Sequence, residues 1–153
     1  MKMIKTIFDE STREELTQRV HSINEKKVAG WGKMNVYQMV KHCTIWNEWV
    51  LGKNNLPNKQ SFLGIIFGRM ALKGIVKDDK RMKKNLPAGR GFVTMAVETD
   101  LETLKYTLTN FIADYANFSN TSFHHDFFRK MTKEEIGILA YKHSDHHLRQ
   151  FGA

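Results

Sequence analysis

Four stretches of this chain each join a helix-starting cap to apolar residues at helical spacing, and that pattern limits the fold more than any other feature. The first follows Ser11, boxed by Glu14, and puts Leu16, Val20 and Ile23 on one side. The second follows Asn35 with Gln38 at the third position, and Met34 and Met39 are spaced as a hydrophobic staple. Its apolar face is Met39, Val40, Cys43, Trp46 and Val50, and Gly52 ends it. The third starts after Thr99, boxed by Glu102, and carries Leu101, Leu104, Leu108, Phe111, Ile112 and Tyr115. The fourth starts after Thr132, boxed by Glu135, and runs Ile136, Leu139 and Ala140 into "YKHSDHHLRQF", residues 141–151.

Four capped amphipathic helices predict an all-α protein, a four-helix bundle. With 153 residues, 41% hydrophobic and no visible repeat, residues 1–153 read as one domain with a sizeable core. The connection between the second and third helices is far longer than a bundle turn needs. It begins polar, then holds "SFLGIIFGRMALKGIV", which predicts a short extra helix, and ends in "KDDKRMKKNLPAG". A crossover of that length spans a bundle from end to end, which frees the two helices it joins from being antiparallel neighbours. "GFVTMAVET" reads as a short strand or as extended chain.

The opening "MKMIKTIFDESTREEL" lacks a signal-peptide core, and no later apolar run approaches membrane-spanning length, so a soluble protein is expected. One cysteine, Cys43, cannot make an internal disulfide and points to a reducing cytoplasm. The net charge of +8 is concentrated in residues 69–90, where Arg69, Lys73, Lys77, Lys80, Arg81, Lys83, Lys84 and Arg90 face only Asp78 and Asp79. Such a cluster can attract nucleic acid or an anionic surface. No stacking aromatics interleave with the charges, which favours a solvated loop and a basic helix end over nucleic-acid binding.

Helical steps of about 100° from Ile136 place Leu139, Ala140, His143, His147, Gln150 and Phe151 on one stripe. Lys142, Asp145 and Arg149 fall opposite, on the expected solvent side, and His146 on the flank. An H-x-x-x-H pair sets two imidazoles side by side, the spacing at which a helix chelates a metal ion. Alone it is a weak signal, since hydrogen-bonded core histidines are commoner. A third imidazole, His42, lies at the edge of the apolar face of the second helix, one turn after Gln38, which could hydrogen-bond it.

"WGKMNVYQMVKHC" followed far downstream by "FHHDFFRKMTKEEIGILAYKHSDHHLRQFG" resembles the DinB/YfiT-like superfamily, whose members are regarded as metalloenzymes. It is most similar to the uncharacterised branch ending in H-x-D-H-H-L-R-Q-F-G. The resemblance runs from "IFDESTREEL" to the end, and its two ends carry the specific motifs. It implies an up-down-down-up four-helix bundle, a divalent metal held by His42, His143 and His147, and frequent pairing as homodimers. The chain departs from the branch before the fourth helix. Relatives read H-P-F-F-G there, and this chain has His125-Asp126-Phe127-Phe128-Arg129, without the proline and the glycine.

Three neutral imidazoles leave a divalent ion uncompensated and with an open position, as in catalytic sites. Zinc or nickel suits that donor set best, with iron or manganese as alternatives. The resemblance extends to thiol-dependent transferases and isomerases that use a low-molecular-weight thiol. The expectation is therefore a metal-dependent hydrolase or thiol transferase acting on a small molecule. His146 and His125, with His124, are the candidate general bases, because Asp145 and Glu48 are placed away from the site. Cys43 reads as a small core residue, and Trp46, Trp49, Phe111 and Tyr115 as lining the core or a pocket. The competing expectation is a non-catalytic bundle that binds nucleic acid or an acidic partner through residues 69–90.

Overall fold

The computed structural model describes residues 3–56, 59–86 and 98–153. Its elements are helices α1 (Glu10–Ser22), α2 (Val36–Val50), α3 (Phe62–Val76), α4 (Leu101–Asp114) and α5 (Lys133–Gln150). A two-stranded antiparallel hairpin, β1 (His124–His125) and β2 (Arg129–Lys130), precedes α5. The protein is thus mostly helical. No helix among the described residues is long and apolar enough to cross a membrane.

Caps explain most boundaries. Asn35 and Gln38 form the expected capping box of α2, and Thr132 and Glu135 that of α5. Gly52, at φ +73°, follows the end of α2 in the left-handed conformation that glycine adopts without strain. Two starts differ from the sequence reading. α4 is capped by Asp100, whose carboxylate accepts from the Thr103 N–H, so the cap lies one residue after Thr99. α1 begins at Glu10, with Ser11 inside the helix and no side-chain cap. Tertiary bonds secure that end instead. Ile7 N–H donates to Gly137 O, and the Arg13 guanidinium donates to the carbonyls of Ile7 and Phe8.

The extra helix of the crossover is as long as α2, at 15 residues each. Its inner face carries two glycines, Gly64 and Gly68, beside Leu72. A Cβ on Gly64 or Gly68 would lie 2.4 or 2.0 Å from Phe127 O, so only glycine lets the hairpin backbone approach this closely. Of "GFVTMAVET", residues 91–97 lie outside the described residues, as does Arg90.

Helix directions follow from contacts at the ends. Lys53 pairs with Asp114, and Tyr115 Oη donates to Asn47 Oδ1 (2.8 Å), so the C-terminal ends of α2 and α4 lie together. Tyr37, in the first turn of α2, feels the charge of Asp100 at the start of α4, so the two helices run the same way. Lys105, early in α4, donates to the carbonyls of His21 and Ile23 at the end of α1, so α1 and α4 run oppositely. The Ile7–Gly137 bond near their starts and the Arg19–Asp145 pair toward their ends make α1 and α5 run together. α4 packs on α1 and α2, and α5 packs on α1, α2 and α3.

Leu16, Val20, Ile23, Met39, Val40, Trp46, Val50, Leu104, Leu108, Ile112, Tyr115, Ile136, Leu139 and Phe151 meet in one core, as their spacing predicts. Cys43 joins them, and burial pushes its thiol pKa up, which suits a core residue. Phe111 is only partly buried.

The outer side of α5 is not a solvent face. Lys142 is 4% exposed, and its ammonium donates to the carbonyls of Ile75, Asp78 and Lys80, closing the C-terminal end of α3. Asp145 bonds Arg19 and Arg149 together. A single-helix projection puts these residues outward because it contains neither α3 nor α1, which cover them.

Candidate metal centre

His42 stands in the middle of α2, and His143 and His147 are one turn apart on α5. The three offer ligand atoms that all lie within 4.8 Å of one another. His42 Nε2 and His143 Nε2 are 3.2 Å apart. Two nitrogens bound tetrahedrally to one ion at zinc-like bond lengths are about 3.3 Å apart, so this spacing fits a shared ion. The sequence stripe names His143 and His147, the edge of the second helix's apolar face offers His42, and the resemblance implies all three.

His143 and His147 are each oriented by a neighbour. Trp46, one turn after His42, stacks on His143 with ring centroids 4.2 Å apart and planes 17° from parallel. Gln150 spends its amide N–H on Trp31 O (2.7 Å), which turns Oε1 toward His147 Nδ1 at 2.8 Å. Nδ1 of His147 must therefore carry the proton, and Nε2 keeps the lone pair a metal needs. His143 Nδ1 is buried without a hydrogen-bond partner among the described residues. If its proton sits there, both Nε2 lone pairs face the space shared with His42.

Electrostatics hold the His143 and His147 rings neutral, which is the ligating form. Burial, followed by the charges of His147 and His42, holds His143 well below the ordinary histidine pKa. Burial and then the His42 charge push His147 down to about 3, although the Gln150 bond acts the other way. Three imidazole nitrogens from two packed helices, with no carboxylate in the cluster among the described residues, form a donor set that fits a divalent transition-metal ion.

His146 is 7% exposed, with its ring edge-on to Trp31 and 5.1 Å from the His147 ring. Burial and the Arg149 charge lower its pKa, against the opposing effects of Asp145 and the Met82 backbone. His125 is in β1. Its Nδ1 accepts the N–H groups of Phe127 and Phe128, so the imidazole closes the hairpin turn. The same turn puts Arg129 at φ +68°, the left-handed conformation, at the position where the resembling branch has glycine. The Gln38 carbonyl oxygen accepts from Asn35 N–H and so serves the cap.

Sequence reasoning placed Gln150 on the right stripe without seeing its bond to His147, which the i, i+3 spacing could have signalled. Trp31 lies outside any periodic segment, and only its place at the head of "WGKMNVYQMVKHC" pointed to it. Compared with models of known protein families, with curated proteins and with solved structures, the chain finds no match in any of the three.

Proposed function

We propose that the protein is a divalent-metal-dependent enzyme with a DinB/YfiT-like four-helix bundle made of α1, α2, α4 and α5, in which α3 is an addition within the crossover. The parallel pairs α1/α5 and α2/α4 support an up-down-down-up order. The observation that carries the functional reading is the convergence of His42, His143 and His147, with His143 and His147 held neutral by their surroundings. A divalent ion held by three neutral ligands keeps its charge and open positions, and supplies Lewis acidity toward a water or a thiol.

The rest belongs to the chain. Trp46 and Gln150 orient His143 and His147, and the surrounding aromatic rings limit water. His146 and His125 are the proposed proton-transfer groups. The reaction class is hydrolysis or transfer of a low-molecular-weight thiol to a small molecule in the cytoplasm. Elemental analysis of protein purified without chelator tests the reading. Zinc, nickel, iron or manganese should be found at about one ion per chain and lost in His143→Ala. Metal-free protein that takes up none of these on titration overturns it.

The exposed run of Lys73, Lys77, Lys80, Arg81, Lys83 and Lys84 favours a second reading, a surface for nucleic acid or an acidic partner. It requires binding that weakens steeply with salt and disappears when Lys80, Arg81, Lys83 and Lys84 are neutralised.

A further inference from the structure

α3 contains no acidic residue, and its large apolar side chains point away from the protein. Phe62, Leu63, Ile65, Ile66, Phe67 and Met70 are between 47 and 73% exposed. The helix cannot roll them inward, because its other face is already committed. Gly64 and Gly68 lie against the Phe127 carbonyl, Leu72 is fully buried, and Arg69 bonds Glu135 and Lys130 O. Lys142 fixes the C-terminal end. The apolar face is therefore held open.

Those six side chains expose on the order of 600 Å² of apolar surface, the upper limit for the largest patch on an ordinary monomer. Charge decides what such a face fits. The apolar residues occupy the first three turns of α3, and the exposed Lys73 and Lys77 the last. At helical steps of about 100°, both lysines fall within about 20° of Ile66, on the apolar side itself. Lys80, Arg81, Lys83 and Lys84 follow directly and are also exposed, so six cations stand at this end of the helix against Asp78 and Asp79.

A protein partner that covered the apolar turns would meet lysines on the same side, and interface cores are depleted of lysine. A bilayer surface accepts both. Apolar side chains enter the boundary between headgroups and acyl chains, and long lysine stems carry their ammonium groups up to the phosphates. At 15 residues α3 is too short to span a membrane, and its anchoring to the hairpin and α5 suits it to lie flat on one. Anionic headgroups match the excess positive charge, and each lysine or arginine near such a surface strengthens binding about fivefold.

We infer that the outer face of α3 is a peripheral docking surface for an anionic phospholipid bilayer, with Phe62, Ile66, Phe67 and Met70 in the acyl boundary and Lys73 and Lys77 at the headgroup phosphates. The inference is independent of the metal reading, since α3 supplies no residue of the histidine cluster.

Co-sedimentation of the full chain with vesicles tests it. Binding to mixed phosphatidylglycerol and phosphatidylcholine vesicles should exceed binding to phosphatidylcholine alone by more than about tenfold, and should weaken as salt rises. Ile66→Glu, Met70→Glu should lose the binding, with helix content and metal uptake unchanged. Lys73→Gln, Lys77→Gln should weaken it by about tenfold or more. Tyr106→Glu, on the exposed side of α4, should leave it intact. Because Cys43 is buried, Ile66→Cys can be labelled selectively with a polarity-sensitive dye, whose emission should shift to the blue on anionic vesicles. The same dye on Tyr106→Cys should not shift. Failure to sediment with anionic vesicles overturns the inference, as does equal binding to neutral ones or binding that survives Ile66→Glu, Met70→Glu. Binding that needs the lysines while the Ile66→Cys label stays in water also overturns it, by reducing the contact to a charged patch. So does a face that a second copy of the chain covers in sedimentation velocity while vesicles remain unbound.

Discussion

His42 Nε2 lies 3.2 Å from His143 Nε2 although 101 positions separate them in the chain. Unless one nitrogen donates to the other, two lone pairs meet in a space of low polarity, and a shared cation removes that repulsion. Binding only to the folded state should therefore raise thermal stability. Zinc or nickel in excess should raise the melting temperature by several degrees in the wild type, and by little in His42→Ala or His147→Ala. Differential scanning fluorimetry before and after chelation checks this, and equal shifts in all three proteins would count against a shared site.

Gln150 provides a subtler test, because it touches His147 and not the ion. Gln150→Leu removes the acceptor that fixes His147 as the Nδ1–H tautomer and leaves Trp31 O without its donor. Metal affinity should fall by about 10–100-fold while the helical signal persists. Gln150→Glu should restore much of it, since a carboxylate can accept the same proton. Competition with a chromogenic chelator measures both variants.

The three proposed ligands were legible in the sequence because they depend on local periodicity: one turn separates His143 from His147, and one separates His42 from Trp46. The caps of α2 and α5 were legible for the same reason. Two things were not. The start of α1 is set by Gly137 and Arg13, through contacts that the local S-x-x-E pattern at Ser11 does not encode. Lys142, Asp145 and Arg149 look solvent-facing on a helical wheel, yet the segment following α3 and the Arg19 side chain enclose them. A single helix shows which residues share a face, and only its neighbours decide whether that face is wet.

The hairpin before α5 has neither a proline nor a glycine in its turn, which the His125 imidazole holds together. Arg129 at φ +68° bears a left-handed backbone that a residue with a Cβ adopts at a cost of about 1 kcal/mol. Arg129→Gly should therefore stabilise the protein by up to about 1 kcal/mol, less the entropy glycine adds to the unfolded chain. His125→Phe should destabilise it, because two N–H groups of the turn lose their acceptor. Urea unfolding of both variants measures the two signs, and a stabilised His125→Phe would remove the imidazole from the account of the turn.

Asp145 ties α1 to α5 through Arg19 and braces Arg149 one turn along its own helix. Burial raises its pKa, but the hydrogen bonds from Arg149 and Arg19 outweigh that and leave it below the ordinary carboxylate value. A carboxyl whose pKa is lower folded than unfolded binds fewer protons in the folded state. It stabilises the protein fully above the unfolded value of 3.8 and loses that contribution as pH falls through the folded value. Asp145→Asn should cost about 1–3 kcal/mol at neutral pH, because the two guanidinium groups keep only a neutral acceptor. Below about pH 4 the wild type should weaken faster than the variant, so that their urea midpoints converge in acid. Parallel pH profiles of the two midpoints would show no Arg19–Asp145–Arg149 coupling between the helices.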